Sequence, residues 1–265
     1  MLVPAAFAQN VYINSNLVTL GSGSTVVNGR YRISDGNFDQ RLSNNISGPT
    51  NGLDRNLGNV SDLSGDLFDF VLSHSATTGF SWQLTNTTTT VTTTQYWGTT
   101  GTNSATDQFA ATLGSSYTTG TSPNANPFNT LQLAVRASEE GPSASSAVFS
   151  NFSFTGGTST TGSFASGTVT PTTGAGPGYS GKAADGAGFH LQWVYSDTNL
   201  ATYDWSLSGK VTLSRTGAGD GEAVLFEIYG QNLAASVVPE PSFYASLALG
   251  FSGLVFAVRR RRKQS

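Results

Sequence analysis

Residues 203–214 read YDWSLSGKVTLS, and this stretch decides the class of fold. Apolar residues recur at every second position with one interruption: Trp205, Leu207, Val211 and Leu213. This is the period of a strand that buries one face. Gly209 stands at the interruption, so we expect one long strand that is kinked at the glycine.

Short β-branched and aromatic runs, separated by Gly, Asn, Asp and Pro, continue this pattern through the chain. The clearest are Val11–Ile13, Thr25–Val27, Arg30–Ile33, Leu67–Leu72, Phe80–Thr85, Leu131–Arg136, Ala147–Phe154, Phe189–Tyr195 and Ala223–Tyr229. Before the C-terminal tail, no window shows a helical stripe. We therefore predict an all-β domain over residues 9–230, a single β-sandwich of about ten strands with a jelly-roll or lectin-like arrangement.

Three details of this prediction concern individual segments. Strict alternation in Ala147–Phe154 puts Val148, Ser150, Phe152 and Phe154 on one face. Residues 36–65 lack periodicity and are predicted to form a long loop or an irregular decoration of the sandwich. The threonine tract 85–94 has good strand propensity, and it forms either a solvent-facing strand or a hairpin that leads to Tyr96 and Trp97.

Composition and charge exclude several classes of function. The chain contains no cysteine, which excludes disulfides, zinc-thiolate sites and thiol catalysis. The net charge is −3, and five of the 13 basic residues lie together at 259–263, so the body is more acidic than the net charge suggests. An acidic body does not suit nucleic acid, but it tolerates cations or a hydrated polysaccharide matrix.

The C-terminal tail consists of three blocks in a fixed order. Its parts are Pro239, Glu240 and Pro241, then the uncharged run 243–258, then the basic residues Arg259, Arg260, Arg261, Arg262 and Lys263. A helix over 243–258 rises about 24 Å, short of the roughly 30 Å hydrocarbon core. Arginine stems that extend to the interface make up the difference. We predict a transmembrane helix over 243–258, with the basic cluster in the cytoplasm and the body outside.

This order of blocks resembles the PEP-CTERM sorting signal of Gram-negative bacteria, over roughly residues 238–263. The resemblance implies that the chain is a substrate of an exosortase, a membrane-embedded transpeptidase. It also implies that Pro239, Glu240 and Pro241 are recognition residues and that the helix and basic tail are removed. The two prolines keep this segment stiff and extended, which presents Glu240 at the membrane surface.

The N-terminus carries an independent indication of export. Ala6 and Ala8 fit the small-x-small pattern of a signal peptidase site, with Gln9 as the first mature residue. We interpret residues 1–8 as the remnant of a signal peptide. The predicted organisation is then this remnant, the sandwich over 9–230, a linker over 231–238 and the sorting signal over 239–263.

Catalytic motifs are absent from the sequence. His74 and His190 are the two histidines. We expect His74 to be a polar loop residue and His190 to lie at the sheet surface. No Gly-x-Ser-x-Gly elbow, phosphate-binding loop or His-Glu-x-x-His motif occurs, so we predict no catalytic residue and no enzymatic activity.

Two weaker candidates concern ligands. Asp62, Asp66 and Asp69 are close enough in sequence to hold Ca²⁺, but their spacing is not that of an EF-hand, and a turn that precedes the strand at Leu67 explains them better. No other cofactor is indicated. Each of the four tryptophans is expected in the core. Trp97, flanked by polar residues, is the best candidate for an exposed ring that stacks on a sugar.

The sequence leaves three functions open. The first is an exported structural or interaction protein that is held in the inner membrane, processed by exosortase and delivered to the cell surface or the exopolysaccharide matrix. The second is a carbohydrate-binding module of lectin type, with or without calcium. The third, and the least favoured, is a polysaccharide hydrolase or lyase, because both histidines and clustered acids are scarce.

Overall fold

The computed structural model describes residues 9–14, 18–34, 37–43, 52–76, 78–97, 127–137, 145–171, 188–216 and 222–237. These residues form fourteen strands, numbered β1 to β14 in chain order, in two sheets. Within the same residues, the helical elements are one turn of α-helix, α1 (Val60–Leu63), and a 3₁₀ turn (Leu200–Thr202). This confirms the prediction of an all-β sandwich.

The larger sheet, sheet A, contains eight strands. In spatial order they are β10 (Ser159–Gly162), β1 (Asn10–Ile13), β12 (Gly188–Ser196), β8 (Thr130–Ala137), β14 (Glu222–Val237), β2 (Val18–Ser34), β3 (Asn37–Ser43) and β4 (Gly52–Asn59). All neighbouring pairs are antiparallel except β1 with β10, which is parallel.

The smaller sheet, sheet B, contains six strands, and its neighbouring pairs are all antiparallel. In spatial order they are β11 (Gly167–Val169), β9 (Ser145–Thr155), β13 (Trp205–Arg215), β5 (Leu67–Ser75), β6 (Gly79–Asn86) and β7 (Thr92–Trp97). The threonine tract therefore spans a hairpin between β6 and β7, one of the two arrangements that the sequence allowed.

Aromatic side chains from both sheets meet in one core. Phe70 of β5 contacts Phe226 of β14 across the sandwich, with ring centroids 4.7 Å apart. Trp82 of β6 is fully buried, and its indole N–H donates to the backbone oxygen of Arg30 in β2 at 3.1 Å. Apolar contact and a buried hydrogen bond together hold sheet B against sheet A.

The predicted loop over residues 36–65 is wrong, because this region supplies β3 and β4. The alternation in β3 is hidden by Gln40, which points inward between the buried Phe38 and Leu42. Its side-chain amide donates to the backbone oxygen of Trp82 at 2.9 Å, and Gln95 of β7 donates to the backbone oxygen of Gln40 at 3.0 Å. A buried amide therefore occupies a core position because it bonds to the other sheet.

Strand β13 runs through Gly209 as expected, but the neighbouring β9 is not strictly alternating. The register between them shifts between Ser208 and Lys210 of β13. Opposite this point, Asn151 of β9 has a φ of 56°. The resulting bulge lets both Phe149 and Phe152 face the core, while Val148 is exposed. The prediction that Val148 and Ser150 share a face with Phe152 and Phe154 is therefore wrong.

The predicted linker over residues 231–238 is largely strand. β14 continues to Val237, whose register partner is Val18 of β2. Both strands are long, so their ladder reaches Val237. Two residues further on is Pro239, which has no N–H to donate.

The candidate signal peptidase residues Ala6 and Ala8 lie outside the described residues. So do Pro239, Glu240, Pro241, the run 243–258 and the basic cluster 259–263. In the parts of the chain that are described, no helix has the length and apolar character needed to cross a membrane.

Candidate functional site

A row of hydroxyl groups crosses the outer face of sheet B. Strand pairing aligns one residue from each of five strands: Thr155 of β9, Ser206 of β13, Ser73 of β5, Ser81 of β6 and Tyr96 of β7. We call these five residues the hydroxyl row. Their side chains point away from the core because the residue before each of them on its strand is buried in it: Phe154, Trp205, Leu72, Phe80 and Gln95.

The hydroxyl row forms the floor of a cleft of about 610 Å³. The end of the β5 strand, the start of β6 and the chain before β13 bound it, through Ser75, Thr78, Gly79 and Asp204. Within the floor, the hydroxyls of Ser73 and Ser81 lie 2.6 Å apart and share a hydrogen bond. Tyr96, 38% exposed, presents its ring at the β7 side. Such a surface offers both hydrogen-bond donors and acceptors beside an aromatic ring.

His74 lies beneath the cleft and is 2% exposed. Its ring stacks on Trp205 at 5.6 Å and contacts Phe80 at 4.7 Å. Nδ1 lies 3.0 Å from the backbone oxygen of Tyr203, so the tautomer with the proton on Nδ1 donates to that oxygen. The prediction that His74 is a polar loop residue is wrong, because β5 continues past it and turns its side chain inward.

Charge is sparse among the described residues that line the cleft. Asp204 is their single carboxylate, and no lysine or arginine is among them. One oxygen of the Asp204 carboxylate accepts a hydrogen bond from the backbone N–H of Ala76 at 2.9 Å, which holds the carboxylate beside the β5–β6 connection. The cleft is therefore largely uncharged, with hydroxyl groups beside apolar and aromatic surface.

The outer face remains polar beyond the cleft. A second row, parallel to the first, contains Ser153, Ser208, Val71, Gln83 and Thr94. A third row contains Lys210 next to Asp69, and their side chains form an ion pair at 2.5 Å. The formal charges of this third row thus neutralise each other.

The outer face of sheet A has a different character. Arg30 of β2 stands next to Glu227 of β14 and Arg41 of β3, and both arginines are only 3% exposed although they face away from the core. Asp39 pairs with Arg32 at 2.6 Å and with Arg30 at 3.6 Å. Buried, paired charges of this kind belong to a covered surface and do not offer a free binding face.

Tyr229 belongs to the same covered surface. Its hydroxyl donates to the carboxylate of Glu227. Burial, reinforced by the charge of Glu227, raises the pKa of Tyr229 well above its ordinary value. The phenol therefore remains neutral and acts as a hydrogen-bond donor at physiological pH.

The three candidate calcium residues lie in different environments. Asp62 is exposed on α1, Asp66 accepts from the side-chain amide of Asn86 at 2.6 Å, and Asp69 pairs with Lys210. Over the described ranges, no group of three histidine or acidic side chains is placed to hold a metal ion. Asp66 and Asp69 are thus engaged in local structure.

The tryptophans and His190 occupy several environments. Trp82 and Trp205 are buried as predicted, whereas Trp193 is partly exposed on β12, so its expected core position is wrong. The side chain of Trp97, the candidate sugar platform, lies outside the described side chains. His190 is half-buried and stacks on Phe149 of sheet B at 4.6 Å, so the expected surface position is wrong; burial lowers its pKa.

Sequence reasoning missed the cleft because the hydroxyl row is not contiguous. Its five residues come from five strands between Ser73 and Ser206, and only the pairing registers align them. The one local signal was the polar residue at every second position of each strand. This pattern shows which side chains face outward, but it does not show which strands pair.

No protein-family model matches the chain, and no curated protein is significantly similar to it.

Proposed function

We propose that this protein is an exported cell-surface or matrix protein that binds carbohydrate through the cleft on sheet B. The observation that carries the binding proposal is the hydroxyl row, a floor of hydroxyls with the exposed ring of Tyr96 at one side. Sugars present hydroxyls that donate and accept, and faces of C–H groups that pack on aromatic rings. The module is lectin-like in this sense.

Export and sorting are supported by sequence at both ends of the chain. The pair Ala6 and Ala8 fits signal peptidase, and Pro239-Glu240-Pro241 with its apolar run and basic cluster resembles an exosortase signal. Exosortase and the inner membrane are the partners before processing, and exopolysaccharide is the partner afterwards.

Binding is tested with the purified body on an array of matrix polysaccharides, with Tyr96→Ala as the variant. Loss of the ring is expected to weaken binding roughly 3- to 10-fold. Val148→Ala is the matched control, because Val148 is also an exposed apolar residue on the outer face of sheet B but does not line the cleft. Equal loss in both variants, or no binding to any polysaccharide, contradicts the proposal.

The array is repeated with a chelator. Asp204 is the one carboxylate among the described residues of the cleft, so binding is expected to persist without calcium. Loss of binding in chelator would instead assign calcium a role in recognition.

Sorting is tested in a host that contains an exosortase. Replacing Pro239, Glu240 and Pro241 by alanine is expected to leave a larger, membrane-bound form, because the recognition segment is gone. Alanine at Val237 and Val238 is the adjacent control. Unchanged processing of the triple variant contradicts the sorting proposal and leaves the binding proposal intact.

A further inference from the structure

We propose that the cleft binds the interior of a linear, uncharged polysaccharide that lies across the strands of sheet B. This inference rests on the proposed carbohydrate binding and adds the class of polymer, its direction and its mode of attachment.

The hydroxyl row extends from one edge of sheet B to the other. Tyr96 lies on β7, the last strand of sheet B. At the other side, β11 pairs with β9 only at residues 147–149, so no described strand lies beyond Thr155. Among the described residues, no further strand therefore encloses a ligand that follows the row at either end, which suits a chain that continues in both directions.

The chemistry of the row favours neutral sugars. From β9 to β7, the row consists of Thr155, Ser206, Ser73, Ser81 and Tyr96. None of these side chains carries a charge. Each serine or threonine hydroxyl both donates and accepts, as the hydroxyls of a neutral sugar do. Such a row recognises hydroxyls without selecting for a charged substituent.

A polyanion lacks a cationic partner here. Carboxylates and sulfates are normally held by arginine or lysine. The described lining contains neither, and the Asp204 carboxylate repels an anion. Lys210, on the same face, is four residues from Ser206 along β13, roughly 13 Å away, and is paired with Asp69.

The row also sets a length. Adjacent strands lie about 4.8 Å apart, so a ligand that crosses five strands contacts a track of about 19 Å. A single sugar residue fills only part of this track. Affinity is therefore expected to rise with each added residue until the oligosaccharide spans the row, and then to level off.

The test is calorimetry with linear neutral oligosaccharides, namely glucan, mannan and galactan series from one to eight residues, and with oligouronates of matched length. For at least one neutral series, we expect affinity to rise with length to a plateau, and labels at either chain end to leave it unchanged. Oligouronates are expected to bind at least tenfold more weakly. A monosaccharide that binds as tightly as the longest oligomer, or tighter binding of oligouronates, overturns this inference but leaves carbohydrate binding established.

Variants connect the length dependence to the row. Ser206→Ala removes an inner hydroxyl of the row and is expected to weaken binding of the longest oligomer roughly 2- to 10-fold. Thr212→Ala is the control, because Thr212 is on the same strand and face but outside the cleft. Equal affinities for Ser206→Ala and the parent protein contradict the assignment of the row. Failure of every oligosaccharide and polysaccharide to bind overturns the proposed function itself.

Discussion

The two faces of sheet B are built from the same strands and have opposite properties. In β5, residues Phe68, Phe70 and Leu72 enter the core, whereas Asp69, Val71 and Ser73 form the outer surface. The inner face depends on the volume and shape of each side chain, because the interior is close-packed. The outer face depends on hydrogen-bonding groups that remain accessible. Residues that determine stability and residues of the candidate binding site are therefore separated by one position along each strand.

The largest effect on the free energy of unfolding is expected from a fully buried residue of the inner face. Trp82→Ala removes a fully buried ring that contacts Phe70 and Phe226 and donates to the backbone of Arg30, so the free energy of unfolding should fall by about 3–5 kcal/mol. Gln83→Ala, one residue further on the outer face, should change it by less than about 0.5 kcal/mol. Denaturant unfolding of both variants checks the contrast, and similar losses would erase the distinction between the faces.

The next effect concerns the glycine that interrupts the inner face of β13. A Cβ at Gly209 would lie 2.3 Å from Cδ1 of Phe152 and 2.9 Å from Cε1 of Phe70. Gly209→Ala is therefore expected to lower the free energy of unfolding by about 1–3 kcal/mol through overpacking. When Phe152 is already replaced by leucine, Gly209→Ala should lower the free energy of unfolding by less than it does in the parent protein. A neutral Gly209→Ala would show that the aromatic rings move aside freely.

A pH-dependent effect is expected from His190, which packs on the inner face of sheet B from the opposite sheet. Burial lowers its pKa in the folded protein, so the unfolded chain binds the proton more tightly. Its contribution is complete above the unfolded pKa of about 6.5 and is lost as the pH falls towards the lower folded value. Thermal unfolding of the parent protein and of His190→Gln between pH 7.5 and 5 should diverge in this window. Parallel curves would contradict the burial of this ring.

The smallest effect is expected on the outer face, at the ion pair of Lys210 and Asp69. Their side chains are 35% and 46% exposed, so solvent screens the pair. Lys210→Met should change the free energy of unfolding by no more than about 1 kcal/mol, and by less at high salt. Asp69→Asn tests the other partner. A loss as large as that of Trp82→Ala would mean that the outer face also determines stability.

Predictability from sequence differed between β13 and β9 for a physical reason. In β13 the apolar residues alternate on either side of Gly209, and the strand lies where its period predicts. In β9 the same rule assigned Val148 and Ser150 to the face of Phe152, because the bulge at Asn151 is set by pairing with β13. The two partners are more than fifty residues apart in sequence, so no local pattern contains the bulge.

Regions that alternate imperfectly were missed in the same way. β3 contains an inward Gln40, which is acceptable because its side-chain amide donates to the backbone oxygen of Trp82 in the other sheet. The extension of β14 to Val237 likewise depends on a partner, the first part of β2. In both cases the decisive hydrogen bond joins residues that are distant in the chain.

The sequence by itself determined the all-β class, the burial of Trp82 and Trp205 and the exclusion of thiol chemistry, because these follow from local periodicity and composition. It is also the whole basis for the sorting signal that we propose at Pro239-Glu240-Pro241. Only the tertiary structure decided which strands are neighbours, and therefore that five scattered residues form the hydroxyl row. The physical reason is that a strand's period specifies which face a side chain takes, whereas its neighbours on that face come from long-range pairing.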